Sequence, residues 1–240
     1  MAVVLVTGGN RGIGAACVEW FLANGDEVAT TYRSEAPASP IEAAAERFLP
    51  VRCDVRNGEE VEAAFGAVEA RWGPVEVLVA NAGITMDSLM LRMSDQAFVD
   101  VIDANLTGSF RVAKRAVAKM LRQHTGRIIF VSSVGAFMGL PGQANYAASK
   151  AGLVGMARAI AREVGSRQIT VNVVAPGLID TDMTAVLGED RVAAMTGQVP
   201  LGRVGGVQDV AAVVGFLASD AAAYVTGAVV PVDGGLGMGL

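Results

Sequence analysis

Strand-like and helix-like segments alternate along the whole sequence, from the first residues to the last. Short β-branched runs such as Ala2–Val6 and Val75–Ala80 end at glycine or asparagine, and amphipathic stretches such as Asn57–Trp72 separate them. Six or seven strands in this arrangement predict a mainly parallel sheet with helices on both faces. The strand runs are continuously apolar, which is typical of strands covered on both sides. For 240 residues we expect one α/β domain over residues 1–240, with two small domains as the alternative.

Composition and charge exclude several classes of protein. Hydrophobic residues make up 52% of the chain and charged residues 18%, which excludes disorder and permits a large core. The formal net charge of -5 gives no general attraction for nucleic acid or an anionic membrane. The chain has two cysteines, Cys17 and Cys53, which are too few for a disulfide framework or a metal site. Its first residues, MAVVLVTGG, indicate a strand rather than a signal peptide. We therefore expect a protein of the reducing cytoplasm.

A glycine-rich turn follows the first strand, at the edge of the sheet where parallel α/β proteins bind ligands. Residues 7–14 read TGGNRGIG, which places Gly8, Gly12 and Gly14 in the spacing GxxxGxG. Glycines let the backbone turn tightly beside a pyrophosphate, and the N-terminus of the next helix supplies free N–H groups. The spacing differs from both the Walker pattern and GxGxxG. It predicts a phosphate site, with a purely structural turn as the alternative.

The end of the second strand indicates which dinucleotide is bound. An acidic residue at this point favours NAD because it accepts hydrogen bonds from the ribose, whereas a cation accommodates the 2′-phosphate of NADP. The strand ends in Thr31-Tyr32-Arg33 without an acid, and Arg11 in the turn supplies a second cation. We therefore expect NADP, although Glu35 lies close enough in sequence to leave NAD open. Arg33 as an ordinary solvated cation is the alternative interpretation.

Four polar residues suggest proton-transfer chemistry. Tyr146 and Lys150 stand at i and i+4 and share one face of a predicted helix, where a cation can lower the pKa of a phenol. The hydroxyl of Ser133, at the end of the fifth strand, can bind a substrate carbonyl. Asn105 interrupts the helix predicted over Ser94–Gln123, where its amide can redirect a backbone bond or hold a water. An exposed helix pair and an exposed asparagine are the alternatives.

These motifs together resemble the short-chain dehydrogenase/reductase family over the whole chain. TGGNRGIG, the CDV containing Asp54, the NAG at Asn81–Gly83, Asn105, Ser133, YAASK and Pro176-Gly177 occur in the order typical of that family. Within it, the chain is most similar to the 3-oxoacyl-[acyl-carrier-protein] reductases through GQANYAASKAGL, ITVNVVAPGLIDTDM, QVPLGR and GAVVPVDGGLGMG. The resemblance implies a Rossmann-type, doubly wound parallel sheet and NADPH-dependent reduction of a 3-oxoacyl thioester in fatty-acid synthesis.

The resemblance also implies a role for each residue. Tyr146 would protonate the forming alkoxide, while Lys150 would lower the pKa of Tyr146 and hold the nicotinamide ribose. Ser133 would orient the ketone, and Asn105 would support a water chain that resupplies the proton. Asp54 and Val55 would contact the adenine, Asn81 the adenosine-side ribose, and the backbone of Ile179 the carboxamide. The predicted NADP(H) site comprises Gly8, Asn10, Arg11, Gly12, Ile13, Gly14, Arg33, Asp54, Val55, Asn81, Ala82, Gly83, Tyr146, Lys150, Pro176, Gly177, Ile179 and Thr181.

The resemblance further implies an acyl carrier protein as partner and a homotetramer assembled through the long helices. An acidic carrier needs a local basic patch, for which Arg122, Arg127 and Arg167 are candidates, with ordinary solvated cations as the alternative. We expect the irregular, glycine-containing stretch 180–206 to form a substrate lid.

Two other functions remain open at this stage. One is the same chemistry on a coenzyme A thioester, a polyketide intermediate or another small ketone. The other is an NADP-binding scaffold or sensor without turnover, against which the presence of Ser133, Tyr146 and Lys150 argues.

Overall fold

Seven parallel strands form one sheet in the computed structural model, which describes residues 1–185 and 188–238. The strands are β1 (Val3–Val6), β2 (Glu27–Tyr32), β3 (Phe48–Arg52), β4 (Val77–Ala80), β5 (Gly126–Val131), β6 (Ile169–Pro176) and β7 (Val229–Val232). Their order across the sheet is β3-β2-β1-β4-β5-β6-β7, so the direction of winding reverses between β1 and β4. Such a reversal opens a crevice beyond the carboxyl ends of the strands, where a ligand can bind.

Helices connect the strands and cover both faces of the sheet. Within the described residues the α-helices are α1 (Gly12–Ala23), α2 (Gly58–Trp72), α3 (Asp95–Ile102), α4 (Gly108–Gln123), α5 (Gly135–Met138), α6 (Ala144–Val164), α7 (Asp182–Ala185), α8 (Glu189–Thr196) and α9 (Val207–Ala218). Among these helices none is long and apolar enough to cross a membrane.

The hydrophobic core is divided between the two faces because successive strand residues point to opposite sides. On one face Leu5 belongs to a cluster with Phe65 of α2, while on the other Val4 belongs to a cluster with Phe21 of α1 and Leu217 of α9. Burying one such large side chain contributes about 1.5–3 kcal/mol. The core therefore holds the strands rigidly and fixes the positions of the loops at their carboxyl ends.

Both cysteines lie in this core, as their place in the sequence predicts. Burial raises the pKa of the Cys17 thiol to about 12 and that of the Cys53 thiol to about 11. Both thiols therefore stay protonated and unreactive at neutral pH.

The predicted α/β fold is confirmed, and one local prediction needs correction. The helical stretch predicted over 94–123 is present from Asp95 to Gln123, and the interruption predicted at Asn105 is a π-helical turn at Asp103–Thr107 between α3 and α4. The side chain of Asn105 binds the loop after β4. The stretch 180–206, expected to be irregular, contains the short helices α7 and α8, while residues 186–187 within it lie outside the described residues.

Candidate active site

Three of the predicted catalytic residues lie together beyond the carboxyl end of β5. Ser133 follows that strand, and the first two turns of α6 carry Tyr146 and Lys150. The Ser133 hydroxyl lies close enough to the phenol to lower its pKa, and the Nζ of Lys150 lies 5.7 Å from the centroid of the Tyr146 ring. The i, i+4 spacing therefore places the phenol and the ammonium on one face, beside a third polar group, the Ser133 hydroxyl.

The electrostatics of this group differ from the sequence-based expectation. Tyr146 keeps part of its surface accessible, yet the protein packed around it raises the pKa of its phenol to about 12. Hydrogen bonding to Ser133 opposes this rise and the charge of Asp87 adds to it. Burial also lowers the pKa of Lys150 to about 8, and its Nζ donates a hydrogen bond to the Val131 carbonyl at 2.8 Å. The pKa of Tyr146 is therefore raised by burial, and not lowered as the spacing to Lys150 predicts.

Asn105 lies in the π-helical turn and is fully buried. Its Oδ1 accepts a hydrogen bond from the Ile84 N–H at 2.8 Å. Its Nδ2 donates to the Ile84 carbonyl at 2.9 Å and to the Ser149 hydroxyl at 3.0 Å. Because protein groups occupy both donors of the side-chain amide, Asn105 anchors the loop after β4. A β-carbon on Gly83 would lie 3.1 Å from Asn105 Oδ1 and 3.4 Å from Lys150 Nζ, so this loop closes onto the catalytic group.

The glycine-rich turn has the geometry that a phosphate cradle requires. Gly8 and Gly12 have φ angles of +67° and +55°, which side chains disfavour. A β-carbon on Gly14 would lie 2.4 Å from the Gly8 carbonyl oxygen and 2.5 Å from Nδ2 of Asn81. The helix α1 begins at Gly12, and among the described residues no side chain caps its start. Its first N–H groups therefore have no side-chain acceptor among the described residues, and a helix start of this kind is a candidate site for an anion.

The turn is braced by the end of β4. Nδ2 of Asn81 donates to the carbonyls of Thr7 at 3.0 Å and Gly8 at 3.1 Å. The Thr7 hydroxyl accepts from the N–H groups of Asn81 and Ala82, both at 3.0 Å. Sequence reasoning placed Asn81 against a ribose and assigned Thr7 no role, although the threonine in the TGG motif was the available signal. The structure uses both residues to hold the turn.

The residues predicted for the adenosine end lie at the carboxyl ends of β2 and β3. Arg33 is exposed, while the Asp54 carboxylate forms a close ion pair with Arg56, whose Nη2 is 2.6 Å away. Hydrogen bonds from Arg56 lower the pKa of Asp54, and the charge of Arg33 adds to this effect. Val55 is buried against Gly108 at the start of α4. Asp54 is thus already paired, whereas Arg33 extends into solvent.

The segment after β6 lies over the glycine-rich turn. Ile179 is buried and forms an isolated parallel bridge with Gly205. Its carbonyl accepts a hydrogen bond from the Thr184 hydroxyl at 2.7 Å. A β-carbon on Gly12 would lie 3.5 Å from the side chain of Thr181. The segment that begins at Pro176 and Gly177 therefore joins the predicted cofactor residues at one edge of the sheet.

The three candidate arginines for partner docking lie at the other edge. Arg127 is the second residue of β5, so the length of that strand, roughly 20 Å, separates it from Ser133. Its side chain is only 12% exposed and pairs with Asp220 at 3.2 Å. Nη1 of Arg167 lies 2.7 Å from Nε2 of His124, and Arg122 is exposed near the end of α4. Within one chain, these cations do not surround the catalytic group.

Comparison with known proteins identifies the family of the chain. Residues 8–237 match a family model described as Enoyl-(Acyl carrier protein) reductase. The chain belongs to the short-chain dehydrogenase/reductase family of nicotinamide-dependent oxidoreductases. It is 53% identical over 237 residues to the 3-oxoacyl-[acyl-carrier-protein] reductase MabA of Mycobacterium tuberculosis strain H37Rv, covering 98% of this chain and 93% of the relative. It is 46% identical to the 3-oxoacyl-[acyl-carrier-protein] reductase FabG of Escherichia coli K12, covering 98% and 97% of the two chains.

Proposed function

We propose that this enzyme reduces a 3-oxoacyl thioester on acyl carrier protein to the 3-hydroxyacyl thioester, with NADPH, in fatty-acid synthesis. The observation that carries the proposal is the meeting of Ser133, Tyr146 and Lys150 beside a phosphate cradle at one sheet edge. The 3-oxoacyl-[acyl-carrier-protein] reductase activity for which the MabA and FabG relatives are named supports the choice of substrate. We further propose that the chain acts as one domain, in the cytoplasm, as a homotetramer.

The proposed mechanism assigns the proton to Tyr146. Its raised pKa keeps the phenol protonated at neutral pH, which is the form that a proton donor needs. The Ser133 hydroxyl donates a hydrogen bond to the ketone oxygen and orients it toward the phenol. Lys150 supplies a buried positive charge that stabilises the phenolate left after transfer. The bound nicotinamide supplies the hydride.

For the cofactor site we propose that the N–H groups at the start of α1 bind the pyrophosphate. Arg33 and Arg11 are proposed to bind the 2′-phosphate, since Arg33 is exposed and the Arg11–Asp182 pair is long, at 3.4 Å, and solvated. Asp54 and Val55 would contact the adenine, and the Ile179 backbone the carboxamide. Asn81 supports this site chiefly by bracing the turn.

For the acyl end we propose that residues 180–206 act as a lid, since Thr181 lies beside Gly12 of the cofactor turn and Gly205 forms a bridge with Ile179. Docking of the acidic carrier at Arg122, Arg127 and Arg167 stays a proposal. These residues lie at the opposite sheet edge from Ser133, so a carrier bound there would have to extend its acyl chain over roughly 20 Å.

The direct test follows NADPH absorbance with 3-oxoacyl chains of several lengths on acyl carrier protein and on coenzyme A. The proposal predicts turnover on the carrier protein with higher kcat/KM than on coenzyme A, and no turnover of an enoyl thioester as control. Equal or better turnover on coenzyme A, or of an unesterified ketone, would redirect the function to those substrates. Tight NADPH binding without turnover of any of them would indicate a sensor.

A further inference from the structure

Asn145 stands directly before Tyr146 in the first turn of α6 and is fully buried. Its Nδ2 donates hydrogen bonds to the carbonyls of Met86 at 3.0 Å and Ala97 at 3.3 Å. Its Oδ1 accepts a hydrogen bond from the Tyr146 N–H at 2.8 Å. One carboxamide therefore joins the loop after β4, the helix α3 and the backbone of the proposed proton donor.

The start of α6 depends on this contact. The first N–H groups of a helix have no acceptor within the helix itself. Among the described residues, Gln143 precedes the helix without a side-chain cap, and Asn145 supplies the acceptor for the Tyr146 N–H instead. The orientation of the first turn, and of the phenol on it, is thus set by a side chain held in two other elements.

Two more hydrogen bonds join the loop after β4 to the segment before α6. Nε2 of Gln143 donates to Oδ2 of Asp87 at 2.8 Å. The Ser88 N–H donates to the Gly142 carbonyl, also at 2.8 Å. Because both groups of the second bond belong to the backbone, that bond ties the two segments together independently of side chains.

We call residues 86–88 and 142–145, with these bonds, the loop clamp. Gln143 and Asp87 lie near solvent, whereas Asn145 is the buried member of the clamp. A buried hydrogen bond is the more costly to lose, because its partners are left unsatisfied. Asn145 is therefore the side chain on which the clamp depends most.

We propose that Asn145 is a positioning residue for Tyr146, and that its carboxamide fixes the phenol relative to the substrate carbonyl by holding α6 in the loop clamp. The inference rests on the proposed function. Proton donation requires a heavy-atom distance of about 2.6–3.2 Å. A displacement of about 1 Å can cost on the order of a hundredfold in rate, so a change at Asn145 acts on the proton step.

The chain offers a matched control in Asn172 on β6, which is also fully buried. Its Nδ2 donates to the Val225 carbonyl at 2.8 Å, and its Oδ1 accepts from the Ala228 N–H at 3.1 Å. Asn172 therefore makes the same kinds of bonds as Asn145, but to residues outside the loop clamp. Replacing Asn172 therefore tests how the loss of buried side-chain hydrogen bonds affects stability alone.

The experiment compares Asn145→Ala, Asn145→Ser and Asn172→Ala with the wild-type enzyme, each with NADPH and a 3-oxoacyl thioester. Asn145→Ser keeps a small uncharged hydroxyl at this position but cannot donate to both carbonyls, and it replaces Asn145→Ala if that variant does not fold. We measure kcat per folded enzyme, the NADPH Kd by fluorescence, Tm, and the solvent deuterium isotope effect on kcat.

Both Asn145 variants are expected to lower kcat by about 10- to 100-fold, to leave the NADPH Kd within about threefold, and to raise the solvent isotope effect as proton donation becomes limiting. Asn172→Ala is expected to lower Tm while kcat stays within about twofold. Two results, each with an active wild-type enzyme, would overturn this inference alone. One is an unchanged kcat in the Asn145 variants, and the other is an equal loss of kcat in Asn172→Ala. Absence of wild-type turnover would overturn the proposed function and this inference together.

Discussion

The Nζ of Lys150 donates a hydrogen bond to the Val131 carbonyl at 2.8 Å, in a position enclosed by protein. A hydrogen bond to one carbonyl does not replace the hydration that the ammonium loses on burial. Burial therefore lowers the pKa of Lys150 to about 8. The proposed site therefore contains a cation that reduces the stability of the fold. This cost has a measurable dependence on pH.

Lys150→Met tests that cost through stability. Below pH 8 both the folded and the unfolded chain hold the proton, and the folded state carries the buried charge. Between pH 8 and the ordinary value of 10.5, the unfolded chain binds one proton more, so wild-type stability rises with pH relative to the variant. In urea unfolding, the free energy of unfolding of the wild type minus that of the variant should rise by about 2 kcal/mol between pH 7 and pH 9.5. A difference that stays constant over this range would contradict the lowered pKa.

Gly14→Ala tests the close packing of the cofactor turn. The new β-carbon would meet the Gly8 carbonyl oxygen and the Asn81 amide, so we expect a loss of about 1–3 kcal/mol in stability and at least tenfold weaker NADPH binding. Gly66→Ala in α2 is the control, because its β-carbon meets nothing within 4 Å. It should stabilise the protein by about 0.5–1 kcal/mol. Equal NADPH affinity in the two variants would show that the turn does not bind phosphate.

Arg33→Ala tests the choice between the two dinucleotides. Removing an exposed cation proposed to bind the 2′-phosphate should raise the Kd of NADPH about tenfold and that of NADH less than twofold. Arg122→Ala changes the net charge equally at the other edge of the sheet and serves as control. If Arg33→Ala raised the Kd of NADPH and that of NADH by the same factor, Arg33 would not bind the 2′-phosphate.

Much of this arrangement follows from the sequence, because the motifs come at the ends of strands. Once the strands are parallel, Gly8, Asn81 and Ser133 must lie at one edge, and the helical spacing alone brings Tyr146 and Lys150 to one face. These relationships depend on local periodicity and on the order of the strands. Both can be read directly along the chain.

Other features depend on contacts between residues distant in the chain, which periodicity does not encode. The π-helical turn at Asp103–Thr107 forms because Asn105 binds Ile84, 21 residues away. Asn145 binds Met86, which is 59 residues away in the chain. The sequence alone therefore does not distinguish Asn145 from any other helix residue. The pKa of Tyr146 is likewise decided by tertiary burial, which raises it although a lysine stands one turn along α6.

We propose above that Tyr146 gives the proton to the substrate oxygen. NADPH oxidation with a 3-oxoacyl-carrier-protein substrate, compared between the wild-type enzyme and Tyr146→Phe, measures this role. We expect the variant to lose about a thousandfold or more in kcat while its NADPH Kd stays within about threefold, because only the donor oxygen is removed. Retention of more than a tenth of the wild-type kcat would contradict it and assign the proton to another group.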